Sequence, residues 1–192
     1  MLEKKMLTNI FIISGPSGAG EDSIIEGLKE YFILERVITT TTRSMHQGES
    51  QGHPYYFISR EQFKKDIQAG KWAEYAKQYN DNLYGVSQEE LERVAKSGKT
   101  GIWKIEYKGV ETVKKKYPEI VAIFITVSDL AVLEKRIRRR DTVTEAYIQE
   151  RMDYTREWMK HADIYDYAVY NEEGKLKEAI AKTAKIIRKN LK

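Results

Sequence analysis

The sequence predicts an α/β fold built on a parallel sheet, with a small antiparallel element inserted into it. Three observations carry that reading. Residues 9–23, NIFIISGPSGAGEDS, run from an apolar, β-branched stretch through a turn with Gly15, Gly18 and Gly20 into a helical pattern at Ile24, Ile25 and Leu28. Strand-like and helix-like stretches then alternate along most of the chain, which implies a parallel sheet covered on both faces. Between them, residues 71–86 alternate in polarity, carry Trp72, Tyr75, Tyr79 and Tyr84, and turn at Asn80-Asp81-Asn82, as an antiparallel hairpin does.

Taken in order, residues 8–14 are apolar on both faces and read as a buried strand. A helix over about 22–31 follows the glycine turn, with Asp22 and Ser23 suited to its first turn. A second strand is expected around 36–40, then a polar, glycine-punctuated loop over 39–52. Residues 55–58 read as a strand. Ser59 caps the next helix, with Gln62 at capping-box spacing, and that helix ends near Gly70. Ser87 starts another, with Glu90 at the same spacing, ending near Gly98. A strand over 101–106 precedes a helix over 108–116 that Pro118 stops. Residues 120–127, IVAIFITV, have the continuous apolarity of a strand inside a parallel sheet. Helices are expected over 129–140, ending in a dense basic run, and over 144–161. A last strand over 167–170 leads to an amphipathic helix over 175–191, with Leu176, Ile180, Ala184 and Ile187 at helical spacing.

A chain of 192 residues suits one domain. The absence of cysteine excludes a disulfide framework and a thiolate metal site, and His46, His53 and His161 lack zinc spacing. The apolar run Ile10-Phe11-Ile12-Ile13 is too short for a signal sequence or a membrane span, so a cytoplasmic protein with no membrane partner is expected. The net charge of +4 fits a partner that carries phosphate, a nucleotide or a nucleic acid.

Strand, glycine turn and helix form the layout that cradles a nucleotide phosphate, because backbone N–H groups and the helix N-terminus converge on the anion. The motif is G-x-x-x-x-G-K-[ST]. Gly15 and Gly20 fit its glycines, but Glu21 and Asp22 stand where a lysine and a hydroxyl residue are expected. The cradle is kept, and its cation and its metal-binding hydroxyl are both replaced by carboxylates.

In order along the chain stand GPSGAG (15–20), TTR (41–43), GE (48–49), Gly52, YYF (55–57), AEY (73–75), LYG (83–85), IE (105–106), Gly109 and an Arg-rich stretch ending at Arg151. This series resembles the guanylate kinases, which move a phosphoryl group from ATP to GMP. The resemblance implies a P-loop, three-layer α/β fold with a parallel central sheet, a small antiparallel monophosphate-binding lobe and a helical lid. It implies a single domain over 1–192, with a core of about 1–37 and 88–192, a lid of about 136–156, and a lobe of about 38–87. ATP and Mg²⁺ are the implied cofactors and GMP, or a related monophosphate, the implied substrate.

Residue by residue, the resemblance implies that Gly15, Ser17, Gly18, Ala19, Gly20, Glu21, Asp22 and Ser23 surround the ATP phosphates and that Asn171 lies near the adenine. On the GMP side it implies Thr39, Arg43, His46, Tyr55, Glu74, Tyr84, Lys104 and Glu106. Arg43 and Tyr55 and Tyr84 grip the monophosphate, and Glu74 reads guanine. Arg43, Arg136, Arg140 and Arg151 are the implied catalytic arginines. Asp22 is the one implied metal ligand. Five positions depart from the family's pattern: His46 replaces an arginine, Val86 a small hydroxyl residue, Lys104 an acidic residue, Glu21 the loop lysine and Asp22 the loop's Ser or Thr.

Two charges 4 Å apart interact by about 4 kcal/mol at an effective dielectric near 20, so exchanging Lys for Glu turns an attraction of that order into a repulsion. The expectation is therefore phosphoryl transfer to GMP that is weak or lost. The alternative is a catalytically inactive, nucleotide- or protein-binding relative. Lys104 either supplies the cation that Glu21 removes or pairs with Glu21 or Asp22. Glu74 faces either guanine or solvent, and the arginines of 136–140 face either phosphate or solvent. Nucleic-acid binding through that arginine-rich stretch ranks behind both nucleotide readings.

Overall fold

The structure is a computed structural model that describes residues 7–77, 81–139 and 144–191. Five strands form one wholly parallel sheet: β1 (Ile10–Ser14), β2 (Leu34–Arg36), β7 (Thr100–Trp103), β8 (Val121–Thr126) and β9 (Tyr167–Tyr170), in the spatial order β2-β7-β1-β8-β9. The glycine-rich stretch thus leaves the central strand. All five residues of β1 are buried. Because side chains alternate across a strand, Ile10 and Ile12 enter one core, with Trp103 and Phe124, and Phe11 and Ile13 enter the other, with Ile102, Ile123 and Ile125. The unbroken apolar run predicted this two-sided burial.

Helices cover both faces. α1 (Glu21–Leu28), α5 (Leu130–Arg138) and α7 (Leu176–Asn190) bury Ile24, Leu28, Leu133 and Ile187 on one side. α3 (Gln88–Ala95), α4 (Tyr107–Lys116) and α6 (Glu145–Met159) bury Leu91, Val110 and Trp158 on the other. No helix among the described residues is long and apolar enough to cross a membrane.

A second, four-stranded sheet is formed by β3 (Thr40–Thr41), β4 (Tyr56–Phe57), β5 (Trp72–Lys77) and β6 (Leu83–Ser87), in the order β4-β3-β6-β5. β5 and β6 pair antiparallel, as the aromatic hairpin predicted, and β6 pairs antiparallel with β3, but β3 and β4 run parallel. Residues 78–80 of the expected hairpin, with Tyr79 and the first turn residue Asn80, lie outside the described residues. The helix α2 (Arg60–Gln68) packs Phe63 flat on Trp72, ring centroids 4.0 Å apart.

The strand expected around 36–40 is two strands in two sheets. β2 ends at Arg36, the amide of Ile38 is taken by the Glu90 carboxylate at 2.7 Å, and Thr40 then enters the other sheet as β3. β-branched residues suit either sheet equally, so local propensity does not reveal the break. The expected loop over 39–52 accordingly begins with strand.

The helix caps formed as expected on one arm each. Ser59 Oγ accepts from the Gln62 amide and Ser87 Oγ from the Glu90 amide, both at 3.1 Å. The return arms go elsewhere: Gln62 donates to Asp66, and Glu90 binds Ile38 and Arg93. Gly70, at φ +66°, ends α2, with Lys71 N–H returning to Asp66 O and Gly70 N–H to Ile67 O.

Candidate functional site

The glycine loop is braced from outside. Gly20 caps α1 at φ +92°, and a Cβ there would lie 2.5 Å from Asn171 Nδ2. A Cβ at Gly15 would lie 2.2 Å from the carbonyl oxygen of Ile125, so the loop rests directly on β8. Asn171 donates to the Ala19 carbonyl at 2.7 Å. Arg136 donates to the Gly18 carbonyl at 3.1 Å and to the Asn171 carbonyl at 2.8 Å. Ser17 is half-buried within the loop. The cap residue Gly20 has no side chain to cap α1, and the Glu21 carboxyl draws on the Gly20 and Glu21 backbone amides there, the place an anion would take at a helix N-terminus.

Beneath the loop runs a polar chain that sequence reasoning missed. Trp158 Nε1 donates to Tyr165 Oη at 2.9 Å, Tyr165 and Ser14 share a 2.9 Å hydrogen bond, and Ser14 Oγ donates to the Ile105 carbonyl at 2.6 Å. Since Ser14 spends its one proton on Ile105, the Tyr165 hydroxyl donates to Ser14. The chain ties the end of β1 to the segment after β7. No local pattern announces it, because its members lie far apart in sequence.

Charge at the loop is divided among three side chains. Glu21 opens α1, and its carboxyl is pushed up to about 7, chiefly by burial; its own backbone amide and Lys104 pull the other way, and Asp22 adds to the rise. Lys104, two residues before Glu106 and directly after β7, places Nζ 2.7 Å from Asp22 Oδ2. Of the expected alternatives, the structure thus has Lys104 paired with Asp22. Ser23 is exposed beside them. No cluster of three or more His, Cys, Asp or Glu side chains able to hold a metal occurs among the described residues. Mg²⁺ at phosphate sites commonly takes only one or two carboxylates, the rest of its shell being phosphate and water. Asp22, a hard oxygen donor at the mouth of the loop, fits that need, and Lys104 is the group it contacts instead.

The second sheet presents the other half of the site. Register pairs Thr41 with Tyr84, Phe57 with Thr41, Ala76 with Tyr84, and Glu74 with Val86. Directly opposed residues share a face, so Phe57, Thr41, Tyr84, Val86 and Glu74 line one side of the sheet. Arg43 and Tyr55 continue it. The Arg43 guanidinium lies 5.5 Å from the Tyr55 ring centroid and 5.3 Å from that of Phe57, and Tyr55 meets Tyr84 edge-on at 5.9 Å. Arg43 holds Glu49 through two hydrogen bonds, 2.8 and 2.9 Å, which keep the Glu49 carboxyl down at about 2. His46 contributes its backbone amide to Glu49 at 2.8 Å, with an exposed side chain, and Thr39 its carbonyl to the Tyr56 amide.

Glu74 is 5% exposed, which removes the solvent-facing alternative. Its carboxyl is pushed up to about 7 by burial, with Lys116 opposing the rise and Glu106 adding to it. It abuts Gly109 at the start of α4, where a Cβ would come within 3.3 Å of Oε2. Glu106 accepts from Tyr154 Oη at 2.8 Å. Val86 is fully buried and packs in the main core, which accounts for the apolar residue at that position.

The expected arginines have different neighbours. Arg136 donates to one loop carbonyl, that of Gly18, and to the Asn171 carbonyl after β9, and Arg151 lies 5.0 Å from the centroid of the Tyr147 ring. Arg140 lies outside the described residues. Arg138 pairs with Glu134 and Glu145, and Arg139 with Glu173.

A braced glycine loop opening a helix at the carboxyl edge of a parallel sheet, opposite a lobe that presents arginine, tyrosine and a buried carboxylate, defines a nucleotide-phosphate-binding α/β protein. The comparisons with known proteins narrow this. The guanylate kinase family model matches residues 7–190. The chain is 35% identical over 176 residues to the guanylate kinase of Idiomarina loihiensis, covering 90% of this chain and 83% of the relative. It is 39% identical over 166 residues to that of Enterococcus faecalis, covering 85% and 81%. The crystal structure of guanylate kinase from Anaplasma phagocytophilum superposes with a TM-score of 0.69 at 25% identity, covering 95% of this chain and 86% of that one. The chain belongs to the guanylate kinase family.

Proposed function

We propose that this protein transfers the terminal phosphoryl group of ATP to GMP, yielding ADP and GDP, at a rate lowered by the two carboxylates of its loop. The observation that supports this best is the single face shared by Arg43, Tyr55, Tyr84 and Glu74. A guanidinium beside two phenols suits a monophosphate, and guanine offers two adjacent N–H donors that one carboxylate accepts together. Glu74, whose carboxyl burial pushes up to about 7, ionises when those donors replace the solvation it lacks.

On the donor side, the α1 N-terminus and the loop amides bind the ATP phosphates. Asp22 is the side chain that would hold Mg²⁺, which when bound neutralises charge on the phosphates. The GMP phosphate oxygen attacks the terminal phosphorus and ADP departs. The residues' part is positioning and charge stabilisation, and there Glu21 works against the reaction.

Separate titrations test the reading. GMP is expected to bind more tightly than ATP·Mg²⁺, since the acceptor lobe keeps its cation and the loop does not. Tight ATP·Mg²⁺ binding without GMP binding would overturn it. GMP binding without turnover would favour a silenced, nucleotide-binding relative.

A further inference from the structure

We propose that Lys104 is the phosphate-binding cation of the donor site, delivered from the end of β7 in place of the lysine that the loop lacks. The inference rests on the reading of the loop as a donor-nucleotide site. β7 is the immediate neighbour of β1, with Trp103 in register with Ile12. The residue after Trp103 therefore emerges at the carboxyl edge of the sheet, beside the loop that β1 feeds. Lys104 Nζ reaches the first turn of α1 and meets Asp22 Oδ2 at 2.7 Å. A cation carried by the neighbouring strand thus stands at the first turn of α1, against the carboxylate that occupies the motif's hydroxyl position and next in sequence to the one that occupies its lysine position.

Two magnitudes favour phosphate capture over a fixed ion pair. The Lys104 and Asp22 side chains are 37% and 73% exposed, and a pair so exposed contributes about 0–1 kcal/mol. A polyphosphate carries more charge than a carboxylate and also draws on the amides at the α1 N-terminus, which Asp22 does not touch, so it outcompetes Asp22 for the ammonium. The other cation at the loop, Arg136, already spends its fork on the Gly18 and Asn171 carbonyls. Asp22 is then a parking partner that holds Lys104 over the cradle before nucleotide arrives.

The test is equilibrium binding of a non-hydrolysable ATP analogue with Mg²⁺, and of GMP separately, to the full chain and three variants. Lys104→Met is expected to weaken the analogue by about tenfold or more, and by a clearly larger factor than it weakens GMP, whose tyrosine Tyr55 lies within the field of the same ammonium. Lys104→Arg keeps the charge and is expected to stay near the parent. The exchanged variant, Glu21→Lys with Lys104→Glu, is expected to bind the analogue better than Lys104→Glu alone. Thermal unfolding of each variant separates loss of the cation from loss of the fold. Analogue affinity unaltered in Lys104→Met, or no analogue binding by the parent, overturns the proposal. Lys104-dependent analogue binding in a protein that forms no GDP would leave this proposal standing and overturn the reading of the protein as a GMP kinase.

Discussion

Arg43 and Glu49 form a two-pronged ion pair, Nη1 to Oε2 at 2.9 Å and Nη2 to Oε1 at 2.8 Å, six residues apart on the loop that follows β3. Glu49 also collects the His46 amide, so one carboxylate sets both the loop's shape and the guanidinium's direction. A lysine is a point charge and cannot make the paired contact. Arg43→Lys is therefore expected to raise the GMP dissociation constant by about tenfold, with ATP-analogue binding unchanged. Paired titrations of both nucleotides check it, and equal losses for both would show a general distortion instead.

Glu74 makes stability depend on pH in a stated direction. The folded state keeps its proton up to about 7, whereas an unfolded Glu releases it near its ordinary value of 4.5. Between those values the folded state binds more protons, so stability falls as pH rises from about 4.5 to 7 and levels off above. Glu74→Gln removes that slope, and the variant should gain about 2–3 kcal/mol on the parent between pH 5 and pH 8. Glu21, shifted the same way, leaves a residual slope in the variant. Urea unfolding at the two pH values measures the difference. The same variant should bind GMP more weakly, because an amide accepts only one of two N–H donors.

Asn171 and Gly20 are coupled through one point in space. Asn171→Ala leaves the buried Ala19 carbonyl without its donor, which costs about 1–3 kcal/mol. Gly20→Ala forces an alanine to φ +92° and brings its Cβ to 2.5 Å from Asn171 Nδ2. Truncating Asn171 removes that clash but not the backbone strain. The double variant is thus expected to be less destabilised than the sum of the singles, and a double-mutant cycle in urea reads the difference. Full additivity would contradict the contact.

Features written in local pattern were legible before the fold was seen. The two-faced burial of Ile10 to Ile13, the caps at Ser59 and Ser87, and the Trp72–Tyr84 hairpin each depend on residues within a few positions of one another. The approach of Lys104 to the loop was legible as one of several alternatives, from the opposite charge exchanges at Glu21, Asp22 and Lys104; the expected strand over 101–106 ends earlier, at Trp103, so Lys104 follows the strand instead of lying within it. What depended on distant partners was not. Nothing near Glu74 in sequence shows α4 closing over it, nothing near Arg136 shows the Gly18 carbonyl it reaches, and Thr39–Thr42 look alike whichever sheet takes them. Glu49 stood in a quoted motif, yet its hold on Arg43 follows only from the folded loop.

The most direct measurement of the central claim is GMP-dependent formation of ADP and GDP from ATP·Mg²⁺ by the unmodified protein, run beside a Glu21→Lys, Asp22→Ser variant. The account expects equimolar ADP and GDP above the ATP-only background from the unmodified protein, lost in Arg43→Met. GMP binding with no GDP formed by the unmodified protein, at any nucleotide concentration, would contradict it.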